Sequence, residues 1–75
     1  MTEDVKHTAE IMLAAVERAA DRDDGWAELT WNTPKGWCGI RITTEPPSIR
    51  LRFYYNGWRE YSRKDAATAI EEVLK

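Results

Sequence analysis

Arginine and aromatic residues interleave through the middle of this 75-residue chain, at Trp37, Arg41, Arg50, Arg52, Tyr54, Arg59 and Tyr61. A guanidinium stacks on aromatic rings and donates paired hydrogen bonds to carboxylates or phosphates. Tryptophan, tyrosine and arginine are also the residue types that dominate binding hot spots. The chemistry these seven residues offer is therefore recognition, provided that one rigid surface collects them. The bland alternative is that arginine stems simply cover rings on a solvated face.

Bond-making chemistry is poorly supplied. One cysteine (Cys38) and one histidine (His7) cannot build a four-ligand zinc site. They also fall on different elements, Cys38 on the apolar face of a strand and His7 on the polar flank of a helix, so a thiol and imidazole pair is not expected. Asp21-Arg22-Asp23-Asp24-Gly25 invites comparison with a calcium loop. Counted from Asp21, however, the glycine stands at the fifth place and Asn32 replaces the closing glutamate, so the stretch reads as a solvated helix end. Glu28 and Glu60 both fall on expected strands, but nothing in the sequence suggests a cleft that would perturb them. Neither a Walker loop nor a dinucleotide fingerprint is present. The expectation is a non-enzymatic chain without cofactor or metal.

The elements that must position the arginines follow from hydrophobic periodicity. Val5, Ala9, Met12, Leu13, Val16, Ala19 and Ala20 form one stripe and predict a helix over residues 2–21, with Thr2 as N-cap and Glu3 and Asp4 in the first turn. Asp21, Asp23 and Asp24 oppose the helix dipole, so the last turn should fray before Gly25 closes it. Ile11 falls off the stripe.

From Trp26 onward the period becomes two, giving strands over residues 26–32, 37–44, 48–55 and 58–61. Ala27, Leu29, Trp31, Cys38, Ile40, Ile42, Ile49, Leu51, Phe53 and Tyr55 share the apolar side. Glu45-Pro46-Pro47 should take the chain out of the sheet, and Asn56-Gly57 suits a type I′ hairpin. Ser62-Arg63-Lys64-Asp65 resembles a capping box, and Ala66, Ala69, Ile70, Val73 and Leu74 carry a second helix over residues 63–75. The fold class is α+β: helix, three- to four-stranded antiparallel meander, helix, with both helices on one sheet face in a two-layer sandwich. All 75 residues form one domain, since a chain this short has material for only one modest core.

Two registers are open for the last hairpin. A two-residue loop pairs Tyr54 with Arg59 and Arg52 with Tyr61, placing all seven candidate residues on the outer face but setting Glu60 opposite Phe53 on the core side. A three-residue loop pairs Tyr54 with Trp58 and Arg52 with Glu60, giving a less basic face.

Charge is segregated. Residues 1–25 carry seven acids and three bases, residues 26–61 five bases and three acids, and the whole chain is −2. An acidic total disfavours a general nucleic-acid binder. The start lacks a secretory signal, no apolar run could span a membrane, and the lone thiol suits a reducing compartment, so the expectation is cytoplasmic.

These observations favour a small protein-binding module, an inhibitor or adaptor, using the Arg/aromatic sheet face on a protein partner or in self-association. The alternative is a nucleic-acid-binding domain that uses the same face. The helix, antiparallel sheet, helix layout is similar to that of small acidic phage-encoded inhibitors, including some anti-CRISPR proteins, and that resemblance implies a mobile-element origin. The order of sheet then helix is similar to that of some DNA-binding domains. Both likenesses are of architecture alone.

Overall fold

The computed structural model describes residues 2–75, with side-chain surroundings from Asp4 onward, so the cap expected from the Thr2 side chain and the place of Glu3 lie outside the described residues. The elements run α1 (Thr2–Arg22), β1 (Trp26–Thr33), β2 (Gly36–Thr44), β3 (Pro47–Phe53), β4 (Arg59–Glu60) and α2 (Arg63–Leu74). The strands form one open antiparallel sheet in the order β1-β2-β3-β4.

In α1, Ala9, Leu13, Val16 and Ala20 recur at spacings of three and four and are all buried. The helix does not fray at Asp21; it runs through Arg22. Asp24 and Gly25 adopt φ of 60° and 86°, and this left-handed pair lets the amide of Gly25 donate to the Ala20 carbonyl at 2.9 Å, while that of Asp23 donates to Ala19 at 2.8 Å. Satisfying those terminal carbonyls outweighs an unfavourable dipole interaction worth about 0.3–1 kcal/mol. Helix α2 starts where its sequence says it should: the Ser62 hydroxyl accepts a hydrogen bond from the Asp65 amide at 3.1 Å.

Both helices cover the same side of the sheet, α1 lying across β1 and β2 while α2 packs on β3 and α1. Beneath them the cross-strand rows are apolar: Ala27, Ile42 and Ile49; Leu29, Ile40 and Leu51; Trp31, Cys38 and Phe53. Ile40, Leu51, Leu13 and Ile70 are essentially inaccessible to solvent. Burying each such side chain contributes about 1.5–3 kcal/mol. Arg63, at the start of α2, ties the helices together through Glu10 at 2.9 Å and Glu17 at 3.1 Å. The two carboxylates hold its guanidinium more firmly protonated than usual.

Two connections are tighter than their sequences suggest. Thr33 pairs with Gly36, leaving a two-residue turn in which the Thr33 hydroxyl donates to the Gly36 carbonyl at 2.6 Å. At the second hairpin the chain does not leave the sheet, because Pro47 is the first residue of β3, opposite Thr44, and a proline at a strand's first position removes no interior ladder donor. The Glu45-Pro46 peptide is cis.

Candidate functional site

Among the described residues no layer covers the outer side of the sheet, and its residues come from alternate positions of each strand. Trp26, Glu28, Thr30 and Asn32 come from β1; Trp37, Gly39, Arg41 and Thr43 from β2; Ser48, Arg50 and Arg52 from β3. Across the middle runs the row Glu28, Arg41, Arg50, Glu60, with an acid at each end and two arginines between. Arg41 is anchored by Glu28, its Nε 2.9 Å and its Nη2 2.8 Å from the same carboxylate oxygen. Arg50 remains exposed.

From Arg41 in that row, four side chains stack in series. The Arg41 guanidinium lies 4.3 Å from the centre of the Trp58 ring. Trp58 meets Trp37 edge-on at 6.2 Å and 61°. The Arg52 guanidinium lies 4.1 Å from the centre of the Trp37 ring, and its Nε donates to the Tyr54 carbonyl at 3.4 Å. Gly39 makes the stack possible. A Cβ there would stand 2.7 Å from Trp58 and 3.1 Å from Trp37, so only glycine lets both rings approach the strand this closely. Gly39 is buried on a side that no helix covers.

The last hairpin differs from both expected registers. Arg50 pairs with Glu60 and Leu51 with Arg59, and β3 ends at Phe53 instead of continuing to Tyr55. Tyr54 turns to φ 60° with its amide held by the Trp37 carbonyl at 2.9 Å, and its backbone closes over Gly36, where a Cβ would stand 3.2 Å from the Tyr54 Cα. The Asn56 amide then donates to the Phe53 carbonyl at 3.1 Å, so the reversal begins at Phe53 instead of at Asn56-Gly57.

Relative to the two-residue-loop register, this pairing inverts the faces of the returning segment. Arg59 shares the side of Leu51, exposed at the sheet edge. Tyr61 donates its amide to Ile49 and packs against the core, meeting Phe53 edge-on at 6.4 Å. Arg59 and Tyr61 therefore do not join the outer surface. Tyr54 is half-buried at its margin, and Tyr55, expected on the apolar side, is 90% exposed because it lies beyond the strand. Of the seven candidate residues the structure brings together Trp37, Arg41, Arg50 and Arg52. Reading the sequence missed Trp58, Glu28 and Gly39 as partners in this cluster. A glycine inside an otherwise strong strand was the available signal, since such a residue marks close approach by another group.

Cys38 is buried on the opposite side, and loss of hydration there pushes its thiol pKa up. Among the described residues no group of three or more His, Cys, Asp or Glu side chains is placed to hold a metal ion. Within the same residues no helix is long and apolar enough to cross a membrane. Fold and surface together define a small two-layer α+β domain with one uncovered, arginine- and tryptophan-bearing sheet face. Comparison with protein-family models, characterised proteins and solved structures finds no match.

Proposed function

We propose that this chain is a non-catalytic protein-binding module, an inhibitor or adaptor, that docks the outer sheet face onto a protein partner. The observation that carries the reading is the stack Arg41, Trp58, Trp37, Arg52 on a side with no covering layer. Rings and guanidinia already held against one another lose little rotamer entropy on binding, which raises the affinity available from a small patch. Exposed Arg50 and half-exposed Trp26 flank the stack as further contacts of the kind enriched at interface centres. The acid at each end of the central row favours a protein over a polyanion, because Glu28 and Glu60 would stand against phosphates that approached Arg41 and Arg50.

The test is capture from native lysate with wild type and the double variant Arg50→Glu, Arg52→Ala, each shown to be folded by circular dichroism. Protein retained by wild type and lost with the variant supports the reading. Nucleic acid on the beads, released as salt rises, would replace it with the alternative of a nucleic-acid-binding face. Equal capture by both proteins, or none by either, overturns it.

A further inference from the structure

The two edges of the sheet are built differently. Strand β4 is two residues long and consists of Arg59 and Glu60, a short charged edge of the kind that discourages pairing with another chain. Strand β1 is eight residues long, carries no proline or bulge, and has one charged residue, Glu28. Its backbone pattern is set at both ends. Thr44 donates to Gly25 at 2.9 Å, and Trp37 uses its carbonyl toward Tyr54 instead of toward β1. By the alternation of an antiparallel ladder, the peptide groups of Glu28, Thr30 and Asn32 then point away from β2. Among the described residues no strand lies on that side.

We infer that β1 is the docking edge for a second copy of this chain, paired antiparallel with its own β1 about a two-fold axis at Thr30. The choice of occupant rests on self-complementarity, which a two-fold interface requires. Centred on Thr30, the pairing sets Glu28 opposite Asn32 of the second copy, so that an amide N–H meets a carboxylate twice, once on each side of the axis. Centred on Glu28, it would set two carboxylates opposite each other. On the helix-covered side the Thr30 register sets half-buried Leu29 against half-buried Trp31, joining the two cores. It also brings Trp26, 53% exposed, to Pro34 of the second copy, giving that indole an apolar neighbour.

The helices fit the same arrangement. Helix α1 packs on both β1 and β2, and a helix centred over two strands lies about half a strand spacing, about 2.4 Å, inside the edge. Two sheets joined at about 4.8 Å per strand therefore place α1 and its symmetry mate about 10 Å apart, within the usual distance for packed helices. The flank of α1 turned away from Glu10, Glu17 and α2 carries Met12, Ala15 and Ala19, side chains small or flexible enough for that approach. Thr30 stands about 13 Å along β1 from Trp26, equivalent to about nine residues of helix counted back from Arg22, which places Met12 and Ala15 near the axis. The product is a continuous eight-stranded sheet with two outer faces side by side, and it does not depend on what those faces bind.

Sedimentation equilibrium on the full chain tests the inference. Wild type is expected to dimerise reversibly. Thr30→Lys, which sets two ammonium groups together at the axis, is expected to weaken association by about tenfold or more. Arg50→Glu, on the outer face, is expected to leave it unchanged, which separates this inference from the preceding one. A second readout needs no variant: the amide protons of Glu28, Thr30 and Asn32 should exchange about tenfold more slowly in concentrated than in dilute wild type, by the opening free energy that pairing adds. A wild type that stays monomeric at high concentration overturns the inference. So does a dimer in which those three amides gain no protection, or one that folded Thr30→Lys leaves intact.

Discussion

The two faces of one sheet bury their side chains by different means. On the inner face Ile40 and Leu51 disappear beneath helices, and the energy comes from apolar area that a second layer removes from water. On the outer face the described residues form no second layer, and Trp58 supplies the cover itself by folding back over Gly39 between Arg41 and Trp37. An inner-face residue needs only the right volume and no polar atom. An outer-face residue needs reach, a flat surface and a polar end that stays wet. A stable inner face can therefore coexist with an outer face whose composition is free to serve recognition.

Variants can widen or close this contrast. The largest effect is expected at the inner face: Ile40→Ala should cost about 2–5 kcal/mol by urea denaturation, a large part of the stability of a domain this small. Trp58→Ala should cost less, about 1–2 kcal/mol, because its ring is only half-buried and loses two neighbours instead of a complete surround. It should also change the fluorescence of the remaining tryptophans. If it proved as costly as Ile40→Ala, the outer cluster would be a second core and the contrast would fail. Arg63→Ala should cost about 0.5–1 kcal/mol at low salt and less at high salt, since its partners Glu10 and Glu17 are half exposed to solvent.

The smallest effect depends on pH. Burial raises the Cys38 pKa in the folded state, so above about pH 8.5 the unfolded chain loses its thiol proton first and binds fewer protons than the folded one. Stability attributable to this group is complete below that pH and declines as pH rises beyond it. Cys38→Ala should flatten that part of the pH profile, and wild-type Cys38 should resist alkylation until the protein unfolds.

Legibility in the sequence divides along the same line as the faces. Helices, strands and the inner face could be read from the chain because each rests on a period, 3.6 or two, that one segment carries by itself. The buried set Ala9, Leu13, Val16 and Ala20 is visible as spacing alone. So is the alternation of Cys38, Ile40 and Ile42. The Ser62 cap is equally local, because its donor lies three residues away.

The outer cluster was only partly legible. Trp37, Arg41, Arg50 and Arg52 sit on strands whose phase is fixed by their apolar neighbours, so their side of the sheet followed. Arg59, Tyr61 and Trp58 lie beyond a turn, and a turn's length is decided by what the returning segment can reach. Asn56-Gly57 favours a tight hairpin locally, yet that pairing would have turned Tyr61 away from Phe53 and set Glu60 against the core. The register that places Tyr61 in the core and Trp58 over Gly39 is favoured by contacts between residues distant in the chain, and no local pattern encodes it.

By itself, then, the sequence determined the elements, their order and which side of β1, β2 and β3 is apolar, because each of these depends on neighbours within one or two turns or strand repeats. Tertiary structure alone decided the offset of β4, the entry of Trp58 into the outer cluster with the exclusion of Arg59 and Tyr61, and the contrast between a blunted edge at β4 and an open one at β1. Those features depend on which distant surfaces fit together: relative to the tight Asn56-Gly57 hairpin the observed pairing moves Glu60 by three residues, from Phe53 to Arg50, which exchanges the faces of the returning segment.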